Sequence, residues 1–150
     1  MTAYQSRKRV LLAIVAASLL LAAVNLSYSA DAPVDDWRAP ARAQRKQNPV
    51  PSSADSIAAG TKVYAANCLA CHGAAGKGDG PAAIACNPPP KNLSDPKLSS
   101  QSDGELFWKI TEGKKPMPSF EKSLSETDRW NAVNYVRVLA PPPSTQPAGK

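Results

Sequence analysis

The sequence is poor in the side chains that most often bind ions or fill cores. Its 150 residues include one histidine, three cysteines and two methionines, and aromatic residues make up 6%. A domain with so few large side chains has limited apolar area to set against its ordering entropy. The cysteine count is odd. Cys68 and Cys71 share one C-x-x-C loop, too short to staple a fold usefully, and Cys86 stands alone. That arithmetic fits a disulfide scaffold poorly and a cofactor attachment well. No segment alternates apolar and polar residues convincingly enough for a strand. The basic residues form no clustered stripe in the sequence, so the pI near 9.4 does not point to DNA or RNA.

The charge balance also depends on which part of the chain is counted. Of the 18 lysines and arginines, three are Arg7, Lys8 and Arg9, and no acid precedes Asp31. Beyond that point 15 basic and 12 acidic side chains remain, a balance of +3. Arg7 to Arg9 form a positive n-region, Val10 to Val24 is an apolar run interrupted only by Ser18, and Ser27-Tyr28-Ser29 offers small residues at cleavage spacing. A membrane span needs about 20 apolar residues. Residues 1–30 therefore read either as a cleaved signal peptide or as a retained anchor, with residues 10–26 in the membrane in the second case. Both readings place the remainder outside the cytoplasmic membrane, because positive residues stay inside.

Residues 31–51 carry Pro33, Pro40, Pro49 and Pro51 among charges and read as an extended tether, with Trp37 as its one large apolar residue. Trp37 is expected to pack on the domain or at a membrane interface. Residues 52–140 are the expected domain, and the proline-rich residues 141–150 read as a disordered tail. Three Ser-x-x-acid patterns predict helix starts at Ser52–Asp55, Ser102–Glu105 and Ser125–Asp128. The helices should run to about Asn67, Gly113 and Leu139. The fold class is all-α, with short helices and long loops.

The chemistry is concentrated in Cys68-Leu69-Ala70-Cys71-His72, the c-type haem attachment signature. Each thiol adds to one haem vinyl group, and two intervening residues let the chain span the vinyl separation. The adjacent His72 points its imidazole at the iron. The macrocycle supplies the apolar surface that the side chains lack. A thioredoxin-like pair would need a βαβ context, which is absent. A zinc site built from Cys68, Cys71, His72 and Cys86 would need two consecutive side chains to converge on one tetrahedral ion. With one histidine, bis-histidine ligation within the chain is excluded. Apart from Met1, Met117 is the only methionine, and Pro116 and Pro118 are expected to hold it in a stiff extended loop as the sixth ligand. His/Met ligation raises the reduction potential and leaves no open iron position. The glycines from Gly73 to Gly80 fail both the phosphate-loop and dinucleotide patterns and read as a loop folded closely over the haem.

Taken together, Cys68 to Gly73, Lys77-Gly78-Asp79-Gly80-Pro81 and Met117-Pro118 resemble the class I monohaem cytochromes c over about Ile57 to Ala140. The resemblance implies the class I cytochrome c fold, wrapped around one covalent haem c, in which the first and last helices cross. Gly60 and Tyr64 would form one side of the crossing, with Trp130, Val133 and Tyr135 as candidates for the other. It also implies that a backbone carbonyl between Asn87 and Leu93 holds the histidine ring, with Pro88, Pro89 and Pro90 as candidates. Trp108 would either reach a haem propionate or pack. Cys86 departs from the family's needs and is expected to be a small buried hydrophobe, or to pair between molecules. The implied activity is one-electron transfer without catalysis, between redox partner proteins that include a terminal oxidase or reductase, in the periplasm or on the outer face of the cytoplasmic membrane. Lys109, Lys114 and Lys115, diluted by Glu112 and Glu121, are expected to fringe the exposed haem edge and steer acidic partners.

Overall fold

The computed structural model describes residues 37–140. The expected signal or anchor, the start of the tether and the proline-rich tail lie outside the described residues. The described chain is helical, with α1 at Ala41–Gln44, α2 at Ala54–Asn67, α3 at Leu69–His72, α4 at Asp103–Glu112 and α5 at Glu126–Leu139. Two 3-10 turns, Ala83–Ala85 and Pro96–Ser100, interrupt the long connection between α3 and α4. Among the described residues there is no strand. A single antiparallel bridge joins Lys114 to Met117. No described helix is long and apolar enough to cross a membrane.

Two of the three helix starts fall where the sequence places them. Ser102 Oγ accepts from Glu105 N at 3.1 Å, and Ser125 Oγ accepts from Asp128 N at 3.0 Å, so each satisfies an orphan amide of the first turn. Gly113, at φ +66°, stops α4 as expected. The first start is shifted by one residue. The reciprocal cap of α2 joins Ser53 and Ser56, with Ser53 N donating to Ser56 Oγ at 2.9 Å and Ser56 N to Ser53 Oγ at 3.2 Å. Ser56 also donates its hydroxyl to Pro51 O at 2.9 Å, which a carboxylate in that position could not do.

The frame is the crossing of α2 and α5. A Cβ at Gly60 would run into Asn131 O and lie 2.9 Å from Tyr135 Cβ, so only glycine lets the two backbones approach this closely. Tyr64, buried one turn later, meets Tyr135 with ring centroids 5.0 Å apart. Of the expected partners, Tyr135 lies at the crossing. Trp130 and Val133 instead turn into the core with Leu98, Leu106, Phe107 and Val136. There Trp130 stacks on Phe107 at 3.9 Å, a contact worth about 1 kcal/mol beyond its area burial.

The expected extended tether differs from what the structure shows over residues 37–51. Ala41–Gln44 is a helical turn, and the segment lies along α4 and α5 as a strap. A Cβ at Gly104 would strike Ala43 O and Lys46 O, so the strap sits directly on the α4 backbone. Ser102 Oγ donates to Gln44 O at 2.6 Å, and Asn48 Nδ2 to Asn134 Oδ1 at 2.8 Å. These partners are more than 50 positions away, so local periodicity carries no sign of them. Trp37 is half-buried, with Lys109 Nζ 5.5 Å from its ring centroid.

Candidate haem site

The chain turns at Cys68, which ends α2 and begins α3. Cys71 N and His72 N both donate to Cys68 O, at 3.1 and 2.8 Å. Cys68 and Cys71 thus stand three residues apart on one helical turn, on neighbouring positions of its surface, with His72 next along. The turn is locked from both sides. Tyr64 Oη donates to Gly73 O at 2.7 Å, tying it to the α2–α5 frame. The glycine loop returns over it through Gly78 N to His72 O, Gly80 N to Cys71 O and Ala82 N to Ala70 O, at 2.8, 3.1 and 2.8 Å. Gly73, Gly76 and Gly78 have the positive φ expected of this loop, whereas Gly80 serves through close approach, since a Cβ there would strike Ala70 O.

His72 Nδ1 lies 3.1 Å from the backbone carbonyl of Lys91. A carbonyl only accepts, so Nδ1 carries the hydrogen and Nε2 keeps its lone pair for a metal. The orienting group is therefore Lys91 and none of the three prolines before it. Leu93 N, donating to Gly76 O at 2.6 Å, pins this stretch against the glycine loop. Burial lowers the His72 pKa, against the opposing effect of the Lys91 bond, and so favours the neutral, metal-binding form. Burial, with Cys71 beside it, pushes the Cys68 thiol up to about 11.

Cys86 differs from its expected buried place. It is half-buried, with its sulfur 4.0 Å from Cys71 Sγ and 3.6 Å from Ala82 O. Among the described residues no three or more histidines, cysteines or acids gather to hold a metal ion, which leaves the zinc alternative without a site there.

Met117 comes from a separate part of the chain, the loop after α4. That loop is a tight turn and not the stiff extended stretch that its prolines predict: Met117 N donates to Lys114 O at 2.9 Å. Beyond it, Ser119 Oγ donates to Thr111 O at 2.6 Å and Phe120 N to Ile110 O at 3.2 Å, fastening the loop to the end of α4. Met117 is half-buried, and its thioether has no hydrogen-bond partner among the described residues. Trp108 is also half-buried. Lys109 drops out of the expected steering set, because its ammonium is 3.0 Å from Glu105 and 2.8 Å from Gln101 Oε1, with the side chain only 12% exposed.

The donor set fits a haem held covalently on one face by α3. Two thiols on one turn stand beside an imidazole whose free nitrogen is fixed by a carbonyl behind it. Comparisons with known proteins agree. The family model described as cytochrome c oxidase, cbb3-type, subunit III matches residues 55–136. A cytochrome c6 from a Synechococcus species is 33% identical over 86 residues, covering 57% of this chain and 72% of that protein. A chain of the reducing HAO-like protein complex of Kuenenia stuttgartiensis superposes with a TM-score of 0.54 at 32% identity, over 61% of this chain and 47% of that one. This chain thus spans about half of that solved chain. Cytochrome c6 from the diatom Phaeodactylum tricornutum gives a TM-score of 0.44 at 30% identity, over 56% of this chain and 93% of that one.

Proposed function

Because the chain belongs to the class I monohaem cytochromes c, with their all-α fold, covalent haem c and haem-based electron transfer, we propose that it is a one-electron carrier with a closed, His/Met-ligated iron. Cys68 and Cys71 would hold the haem through thioethers, and His72 Nε2 and Met117 Sδ would ligate its iron. The haem, when bound, supplies a ferric/ferrous couple. The protein fixes the ligands, keeps water away and tunes the potential. Lys91 O does the first of these for His72: by accepting the Nδ1 hydrogen it fixes the ring plane and strengthens the donor at Nε2. That contact is the observation that carries the proposal. The fastened turn at Lys114–Met117 supports Met117 as the second ligand, and no second histidine competes for that place.

The carrier works outside the cytoplasmic membrane, delivered by residues 1–30 and meeting redox partner proteins there. A second reading makes it a resident subunit of a larger redox complex. It is favoured by the oxidase-subunit description of the matching family model. Retention of residues 10–26 as an anchor would suit that reading, and the mass of the mature protein distinguishes cleavage near Ala30 from retention.

Exposing the reduced protein to carbon monoxide tests the ligand pair. Wild type should bind none at neutral pH, whereas Met117→Ala should bind it readily and lose reduction potential. Full carbon monoxide binding by wild type would overturn the closed site.

A further inference from the structure

The strap carries a charge pattern that the electron-transfer reading does not use. No acid occurs from residue 37 to residue 54, while Arg38, Arg42, Arg45 and Lys46 fall within nine positions. Only Lys46 is paired, at 2.8 Å from Glu126. Arg38, Arg42 and Arg45 are exposed, and their side chains have no hydrogen-bond or ion-pair partner among the described residues. Three acids of the helices beneath the strap are already engaged with cations: Asp103 with Arg137 at 2.8 Å, Glu105 with Lys109 at 3.0 Å, and Glu126 with Lys46. Asp128 accepts from Ser125 Oγ, and Glu112 lies exposed at the other end of α4. Arg42 lies in α1 and Arg45 caps it three positions on, so both stand on adjacent parts of one short surface.

This surface is also held firmly. Ala39 is buried, Gln44 Nε2 donates to Ala39 O at 2.6 Å, and Gly104 and Ser102 seat the helical turn on α4. The arginines therefore project from a fixed part of the domain, and a partner would meet them already arranged.

We propose that the strap is a docking face for an anionic phospholipid surface, with Arg38, Arg42 and Arg45 binding lipid phosphates. Guanidinium forks match carboxylate and phosphate oxygens alike, and two other features favour a lipid over an acidic protein. Trp37 opens the same strap half-buried beside Lys109, and the part of its ring left exposed offers an apolar surface suited to the headgroup region. The chain's apolar run ends at Val24, 13 positions before Trp37, a contour of at most about 45 Å. Wherever that run is kept in a bilayer, the strap is confined near its surface and its effective concentration there is high. Docking would then fix which side of the haem domain faces the membrane. This proposal does not depend on the iron's ligand pair.

Arginine footprinting of the full haem-loaded chain tests it. Phenylglyoxal modification is followed by peptide mass on vesicles of phosphatidylglycerol and on vesicles of phosphatidylcholine, with the Asp103-bonded Arg137 as internal reference. Arg38, Arg42 and Arg45 should react at least about threefold more slowly on phosphatidylglycerol, and the difference should vanish in about 1 M salt. Equal rates on the two lipids would overturn the proposal. So would protection that appears only when an acidic redox protein is added, which would reassign the strap to protein docking.

Discussion

The α2–α5 frame and the loop from Cys68 to Leu93 are built in opposite ways. The frame packs side chains: Tyr64 is buried at the crossing, and on the core side of α5 Trp130 and Val133 are fully buried, with Phe107 of α4 stacked on Trp130. In the loop region α3 and the Ala83–Ala85 turn bury no side chain fully, and Ile84 is 96% exposed. Backbone hydrogen bonds among glycines and carbonyls hold it instead. On the proposed attachment, a loop with so little core of its own would be the wall of a pocket filled by the covalently attached haem.

Detaching the haem should break the comparison most strongly. In Cys68→Ser/Cys71→Ser the amides of Gly78, Gly80, Ala82 and Leu93 should lose at least about a hundredfold of their hydrogen-exchange protection. Retention of holoprotein-level protection would mean that the loop stands alone. Next in size is the frame itself. Gly60→Ala forces a methyl against Asn131 O and should cost about 3 kcal/mol in denaturant unfolding of the holoprotein. A change under about 0.5 kcal/mol would show that the helices can part at little cost.

Tyr64→Phe addresses the link between the two regions. It leaves the ring contact with Tyr135 but removes the donor to Gly73 O, and should cost about 1–2 kcal/mol. The loss should appear mainly as faster exchange in the loop.

The smallest effect is electrostatic and belongs to the strap. The hydrogen bond and charge of Lys46 hold Glu126 below the usual carboxylate range. A lowered folded-state pKa gives stability that is present above the ordinary glutamate value and is lost as pH falls through the folded one. The pair is exposed, so Lys46→Met should change acid unfolding only slightly, flattening the stability gain between acid and neutral pH. A large drop at neutral pH would show that Lys46 acts through its contact with the Phe107 ring, 4.3 Å away, more than through Glu126.

The same division explains what could be read from the sequence. The caps at Ser102 and Ser125 and the attachment turn were legible because each depends on residues within one helical turn. The Gly60–Tyr64 face came only from the family resemblance, its partners on α5 being remote in sequence. The cap of α2 was misplaced by one residue because three small polar residues compete there and Pro51 O decides between them. The carbonyl that orients His72 falls within the expected stretch from Asn87 to Leu93, but the prolines drew attention from Lys91, because any residue type can supply a backbone carbonyl. Cys86 was expected to be buried, and no local pattern brings its sulfur to Cys71. The strap escaped because its partners on α4 and α5 are remote in sequence, and its arginines form a surface only once α1 is seated.

The central proposal is that His72, held by the loop wall, and Met117, held by the turn after α4, would ligate one iron. The ferric absorption spectrum of the purified holoprotein, compared with that of Met117→Ala, tests it most directly. Wild type should show the weak long-wavelength band of a thioether–iron bond, and the variant should lose it while keeping the haem covalently attached. A wild-type spectrum without that band at neutral pH, or one unchanged by the substitution, would contradict the assignment.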